Sequence, residues 1–283
     1  MSVLQAAGRK FSGMLGRESR LVRVLRPAYE SLLEFSTGGR GISWKINGET
    51  YRVDPRCRQR LGQNYDAPVA AFIRERIRPG AVCLDVGANV GVYVLQFARW
   101  SGTTGRVVAF EPNPGAREFL SRHVELNNFA GRVEIVPAAV GSSGGEAVLF
   151  AADADGMSRL GAPNDLIAER VAELTVPVVT LDDFCKSRGL EPDWLFIDIE
   201  GFEIAALEGA RSLIERRGAA LHIIVEMHPN VWDSADTTRA GAEKLLRELR
   251  LCPLALMGQG DPLGEHGLVY LSRAEEEEEG AKA

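Results

Sequence analysis

Runs of β-forming residues with no polar alternation recur along this chain, and a helical pattern follows almost every one. "AVCLDV" leads into "VGVYVLQFARW", "RVVAFEP" into "PGAREFLSRHVELN", and "DWLFIDI" into "FEIAALEGARSLIERRG". "LHIIVEMHP" is followed by "TRAGAEKLLRELR" and then by the short apolar runs "CPLALM" and "GLVYLS". Strands that are apolar on both sides must be covered on both sides, and intervening helices let them pair in parallel. The rhythm predicts an α/β fold with a mostly parallel, doubly wound sheet. It breaks after "RVEIVPAAV", where "GEAVLFAADADG" and "AELTVPVVTLDDF" read as an inserted β-rich excursion around a polar loop.

The flanks are different. "ISWKINGETYRV" alternates and carries Asn47-Gly48, a strong hairpin signal. Leu21, Leu25, Ala28, Leu32 and Phe35 recur at helical spacing, predicting a helix that lies on the main domain and is kinked or divided at Pro27. Its basic neighbours, Arg17, Arg20, Arg23 and Arg26, leave a membrane-surface or homo-oligomer role open. A further helix is expected from about Asp66 to Pro79-Gly80, with Asp66 as N-cap and Pro68 in its first turn. The expected organisation is an N-terminal helix and hairpin extension over 1–64, the main domain over 65–273, and a disordered acidic tail over 274–283.

A net charge of −6 and an aromatic content of 7% argue against nucleic acid as a partner. The four cysteines are scattered without a CxxC pair, which suits buried, reduced thiols. With no membrane span and no secretory signal pattern, the expected location is cytoplasmic.

The first strand run ends at Asp85-Val86 and continues as Gly87-Ala88-Asn89-Val90-Gly91. Ligands of open parallel sheets bind beyond the carboxyl ends of the strands, where strand order reverses. Gly87 lets the chain turn sharply and a ligand come close, and Gly91 opens a helix whose free N–H groups favour a carboxylate or phosphate. The second run also ends on an acid, Glu111, about 20 residues on, where a carboxylate can accept both hydroxyls of a ribose. A dinucleotide asks for G-x-G-x-x-G, a spacing that this loop lacks. The aspartate before the loop sits poorly beside pyrophosphate and well beside an amino group. S-adenosylmethionine, with one ribose, no phosphate, an α-amino group and a sulfonium, fits. An NAD(P)-linked Rossmann oxidoreductase and a non-catalytic nucleoside-binding module are the alternatives.

Five segments, "LDVGANVGVY", "VVAFEPNP", "VPVVTLDDF", "FIDIEGFEIAALEGA" and "IIVEMHP", in that order, resemble the FkbM family of class I S-adenosylmethionine-dependent methyltransferases. The resemblance implies a Rossmann-like class I methyltransferase fold. It implies a cofactor site of Asp85, Gly87, Ala88, Asn89 and Gly91, with Glu111 on the ribose and Pro112 and Asn113 shaping the adenine side. Ala138 and Ala139 would flank the base, and Tyr65-Asp66 would close over the methionine end. It also implies the acceptor class, a hydroxyl of a small molecule, a sugar or a natural product.

Methyl transfer is an in-line displacement at an activated carbon, so the protein aligns the reactants and excludes water. An alcohol must also lose its proton, to a general base or with help from a metal. "IDIEG" supplies Asp198 and Glu200, and "VEMHP" supplies Glu226 and His228, on strand ends expected to be neighbours. Alternation along the strand would put both carboxylates of Asp-x-Glu on one side, and the resemblance implies that Asp198 holds the position that abuts the transferable methyl. Three readings stay open. His228 or Asp198 is the general base, with Glu200 beside them. Asp198, Glu200, Glu226 and His228 hold Mg²⁺ or Mn²⁺. Or the acids cap helices and His228 packs in a turn. His123, His222 and His266 have weaker claims; Ser158 and Arg159, in the polar inserted loop, either touch the acceptor or the cofactor or belong to an ordinary surface loop.

Overall fold

Residues 20–152, 158–160 and 171–273 are described by the structure, a computed structural model. The chain opens with helix α1 (Arg20–Ser36), a hairpin of β1 (Ile42–Ile46) and β2 (Glu49–Val53), and helix α2 (Ala67–Arg76). Then β3 (Val82–Val86), α3 (Val92–Trp100), β4 (Arg106–Phe110), α4 (Pro114–Leu126) and β5 (Val133–Val136) follow the predicted alternation. The excursion holds β6 (Ala139–Val140), β7 (Gly145–Ala152), β8 (Arg159–Leu160) and β9 (Val171–Val179). After it come α5 (Leu181–Arg188), β10 (Trp194–Ile197), α6 (Glu203–Glu208), α7 (Arg211–Arg217) and β11 (His222–Met227). Helix α8 (Arg239–Glu248), β12 (Leu251–Ala255) and β13 (Gly267–Arg273) complete the described chain.

The central sheet has seven strands in the order β12-β13-β11-β10-β3-β4-β5. The strands from β11 to β5 are parallel, and β13 is antiparallel to both of its neighbours. Strand order reverses at β3 and β10, as in the Rossmann-like class I methyltransferase fold anticipated from the sequence. Alternate residues enter opposite buried layers: Leu84, Val86, Leu195 and Ile197 one, Cys83, Trp194 and Phe196 the other. With helices over both faces, neither set meets water, which is why these strands read as unbroken apolar runs.

Three expected boundaries move. "RVEIVPAAV" is two strands, because Pro137 carries no N–H for a ladder; β5 stays in the central sheet and β6 pairs in parallel with β9. The excursion, a four-stranded sheet in the order β6-β9-β7-β8, ends sooner than expected. Thr180 Oγ1 accepts the Asp183 N–H at 3.1 Å and starts α5. "FEIAALEGARSLIERRG" is also two helices, α6 and α7, parted at Gly209-Ala210.

The N-terminal extension builds part of the core. Ile42, Ile46, Tyr51, Val53, Cys57 and Leu61 share the buried layer of Cys83, Phe97 and Phe196. Asn47 and Gly48 make the hairpin turn with φ of 47° and 83°. The hairpin then grips the segment ahead of α2: Trp44 Nε1 donates to the Leu61 carbonyl at 2.6 Å, the Asn47 N–H to Gln63 at 2.8 Å, and Asn47 Nδ2 to the Tyr65 carbonyl at 2.7 Å. Helix α1 runs unbroken through Pro27, and the expected apolar stripe is not its buried face. Leu25, Leu32 and Phe35 are exposed, whereas Leu33 is buried and Glu30 pairs with Arg58 at 2.8 Å. That ion pair and Leu33 set the rotation of the helix, and leucine periodicity does not register a buried glutamate. No described helix is long and apolar enough to cross a membrane. Arg17 and the acidic tail lie outside the described residues.

Candidate active site

The loops after β3 and β10 abut at the reversal point, where the Asp198 N–H donates to the Val86 carbonyl at 2.9 Å. Gly87 has φ +87°, and a Cβ there would lie 1.8 Å from the Asp198 carbonyl oxygen. The glycine is thus required first by the protein's own backbone. Gly91 has φ +93° and would put a Cβ 2.6 Å from Leu120 Cδ1; it lines neither lobe of the cleft described below. Four of the loop's N–H groups are already engaged: those of Gly87 and Ala88 donate to the Phe110 carbonyl, each at 3.0 Å, that of Asn89 to Glu111 Oε2 at 2.7 Å, and that of Gly91 to the Ala88 carbonyl at 2.8 Å. In the first turn of α3, the Val94 N–H donates to the Asp85 carboxylate. One of the N–H groups that the helix opening was expected to offer an anionic ligand group is thus taken by Asp85.

Beyond these loops lies a cleft with two lobes. The larger, about 710 Å³ with its open mouth, has Glu111, Pro112, Asn113 and Ala139 on one side. Ser158 and Arg159, from the small sheet, contribute to its wall. Glu111 is buried, with Oε2 on the Asn89 N–H and Oε1 on the Asn113 N–H at 2.8 Å. Burial raises its carboxyl above the usual range, and those two N–H groups pull the other way. Asn113 caps α4 by accepting the Gly115 N–H at 2.9 Å, and its Nδ2 donates to Ser158 Oγ at 2.9 Å, tying the two walls together.

The second lobe is lined by Tyr65, Asp85, Ala88, Tyr93 and Phe196; Arg60, Gly87, Asn89 and Asp198 border both lobes. Asp85 is 2% exposed and its Oδ2 has no partner. Burial, and then the charge of Glu111, push its carboxyl up to about 8. Asp66 does not cap α2: it takes the left-handed φ of 42°, makes no cap bond, and accepts a hydrogen bond from Tyr93 Oη at 3.3 Å. Tyr65 stands edge-on to Tyr93 with centroids 5.9 Å apart, and Tyr93 lies 3.9 Å from Phe196. The Tyr65 hydroxyl is raised by burial and then by the carboxylates of Asp198, Asp66, Glu226 and Asp85. Aromatic walls ringed by carboxylates, with an orphaned carboxylate oxygen, suit a ligand that carries positive charge.

At the carboxyl end of β11, His228 Nδ1 lies 2.7 Å from Glu203 Oε1. Glu203 is fully buried; Oε1 also accepts the Gly201 N–H at 2.7 Å and Oε2 the Trp232 indole N–H at 3.0 Å. The carboxylate fixes Nδ1 as the donor nitrogen and leaves Nε2 for proton exchange. Burial disfavours the charged ring, but the bond to Glu203 and the charges of Glu203, Asp198 and Glu200 outweigh it and push His228 up to about 9. Asp198 is raised well above the carboxylate range, by burial and then by Glu226, with which it shares a hydrogen bond. Glu226 Oε1 in turn lies 3.0 Å from His266 Nε2.

The expected metal group is rearranged. Glu226, His228 and His266 each offer a ligand atom, all within 4.8 Å of one another, and neither Asp198 nor Glu200 belongs to that set. Strand alternation does not place Asp198 and Glu200, because β10 already ends at Ile197. Glu200 adopts φ +30°, a strained conformation for this residue, and lines the larger lobe. His123 has a structural position, with Nδ1 2.7 Å from the Val90 carbonyl, and His222 stacks on Trp194 at 4.4 Å.

Sequence reasoning missed Glu203 and Arg60, and gave His266 only a weaker claim. Glu203 had a legible signal, since it starts the stripe Glu203, Ala206, Leu207, Ala210 at helical spacing and is thus an acid on an apolar face.

The family model of the methyltransferase FkbM domain matches residues 85–251, more than half of the chain. The chain belongs to the FkbM methyltransferase family. The NAD(P)-linked alternative is therefore set aside. Among solved structures, the chain is similar to methyltransferase FkbM from Methylobacillus flagellatus KT, at 18% identity and TM-score 0.45, covering 75% of this chain and 56% of that one. It thus spans little more than half the length of that protein. It is also similar to an O-methyltransferase from Bacillus cereus in complex with SAH, at 16% identity and TM-score 0.43, covering 75% of this chain and 82% of that one. A precorrin-6y C5,15-methyltransferase from Geobacter metallireducens GS-15 shows 17% identity and TM-score 0.38, with 74% and 85% covered. No curated protein matches.

Proposed function

We propose that this family member is an S-adenosylmethionine-dependent O-methyltransferase acting on a hydroxyl of a small molecule, a sugar or a natural product. The observation that carries the acceptor class is the buried Glu203–His228 pair beside Asp198, since an oriented imidazole is what an alcohol needs to give up its proton. The residues present fit the cofactor. The partnerless Asp85 Oδ2 suits an α-amino group, Glu111 suits the ribose hydroxyls, and Tyr65, Tyr93 and Phe196 form an aromatic wall for a cation.

When bound, S-adenosylmethionine supplies a methyl group activated by its sulfonium. Asp85 and Glu111 anchor the two ends, and Asp198, bordering both lobes, stands between them. Glu203, Asp198 and Glu200 favour a proton on His228, and a bound cation would offset the Asp198 share of that field and so favour the neutral ring, whose Nε2 can accept a proton. Glu203 stabilises the imidazolium that forms. The test is transfer of labelled methyl to panels of hydroxyl, amine and thiol acceptors. We expect hydroxyl products, and at least about 100-fold less of them with His228→Ala at unchanged S-adenosylhomocysteine affinity. Transfer to amines or thiols alone would contradict the acceptor class.

A second reading rests on Glu226, His228 and His266, whose donors suit a divalent transition ion such as Mn²⁺ or Zn²⁺ better than Mg²⁺. In that reading Glu203 orients His228 as a ligand. Activity abolished by chelation and restored by one such ion would favour it.

A further inference from the structure

We infer that Arg60, from the N-terminal extension, binds the α-carboxylate of the cofactor's amino-acid end and makes the protein discriminate against cofactors that lack it. The inference rests on the S-adenosylmethionine reading above and extends it to a residue outside the family match.

An amino-acid end brings one carboxylate along with its ammonium, and several of the backbone receptors for an anion in such a fold are already engaged. The N–H groups of Gly87, Ala88 and Asn89 donate to the Phe110 carbonyl and Glu111. The Val94 N–H, in the first turn of α3, donates to Asp85. An incoming carboxylate would also meet the charge that Asp85 takes on when it holds the ligand's ammonium, in a lobe that Asp198 lines as well. Some cation must offset this, and among the described residues lining that lobe Arg60 is the only one.

Its surroundings hold it there without pairing it to a carboxylate of the described residues. Arg56, Arg58 and Arg60 alternate along one short segment. Arg56 pairs with Asp54 at 2.8 Å and Arg58 with Glu30 at 2.8 Å. Arg60 makes no ion pair with a carboxylate among the described residues, and its side-chain hydrogen bond goes to Cys57. The segment is fixed on either side of it. The Arg60 N–H donates to the Cys57 carbonyl at 3.0 Å, and Trp44 Nε1 holds the next carbonyl, that of Leu61, at 2.6 Å. Arg60 borders both lobes, so its planar fork can meet a carboxylate at the end of the smaller one.

The experiment is calorimetric titration of the full chain and of Arg60→Ala with S-adenosylmethionine, with decarboxylated S-adenosylmethionine, which keeps the sulfonium and the amine, and with 5′-methylthioadenosine. The wild type is expected to prefer the intact cofactor over the decarboxylated one by about 10- to 100-fold. Arg60→Ala is expected to lose that preference while binding the decarboxylated compound and the nucleoside as the wild type does, which also shows that the variant is folded. Arg60→Lys should restore part of the preference. Equal weakening toward all three compounds, or an unchanged preference in Arg60→Ala, overturns the role of Arg60 and leaves the cofactor assignment standing. Failure of the wild type to bind any of them overturns both.

Discussion

His228 Nδ1 sits 2.7 Å from an oxygen of Glu203, a carboxylate with no exposed surface that also takes the indole N–H of Trp232. One buried acid therefore fixes the ring of His228 and the start of the turn that follows β11. Glu203→Gln keeps the shape but leaves one of the three donors facing an amide N–H. We expect it to lower turnover by about 100-fold with cofactor affinity unchanged. A lost hydrogen bond should also destabilise the fold by about 1–3 kcal/mol. Steady-state kinetics, S-adenosylhomocysteine titration and thermal melts check these separately.

Asp85 links cofactor binding to pH. Its carboxyl is pushed up from an ordinary value of 3.8 to about 8 by burial and by Glu111. Between those values the folded, ligand-free protein holds a proton that the unfolded chain has released, so this residue's contribution to stability falls as pH rises. An ammonium at Asp85 reverses the shift, and binding then expels the proton. Affinity for S-adenosylhomocysteine should rise from pH 6 to 8, by at most about tenfold per unit. Calorimetry in two buffers of different ionisation enthalpy should detect proton release, and Asp85→Asn should abolish it.

The two loop glycines differ in what opposes a side chain. At Gly87 the obstacle is the Asp198 backbone carbonyl, 1.8 Å from a Cβ; at Gly91 it is the tip of Leu120, at 2.6 Å. A side-chain tip yields more readily than a backbone. Gly91→Ala should cost about 1–3 kcal/mol in a denaturant titration, and less when combined with Leu120→Ala. Gly87→Ala should cost more, and should remove activity at temperatures where it is still folded, because it displaces Asp198.

The imidazole of His266 separates the base reading from the metal reading. Standing 3.0 Å from Glu226 Oε1, it is dispensable to proton transfer in the base reading. His266→Ala should then keep turnover within about threefold of the wild type, and exhaustive dialysis against a chelator should leave activity intact. Loss of activity in both experiments would transfer the role to a bound ion.

Much of the fold was legible because its signals are local. Unalternating strands, the Asn47-Gly48 turn and the acids ending β3 and β4 each follow from a few adjacent residues. The site was less legible where it depends on docking. Asp66 read as a helix cap, yet its backbone is left-handed and its carboxylate meets Tyr93 across the cleft. His266 lies 38 residues from His228 and reaches it only because β13 pairs antiparallel with β11. Glycine at position 91 looked like a ligand contact, but the reason for it is Leu120, on a helix that the loop sequence does not contain.

The most direct test of the cofactor site is titration of the purified chain with S-adenosylhomocysteine, NAD⁺ and NADP⁺, repeated with Asp85→Asn and Glu111→Gln. We expect S-adenosylhomocysteine alone to bind, and each substitution to weaken it by about tenfold or more. Binding of a dinucleotide, or undiminished S-adenosylhomocysteine affinity in both variants, would contradict the site as built from these residues.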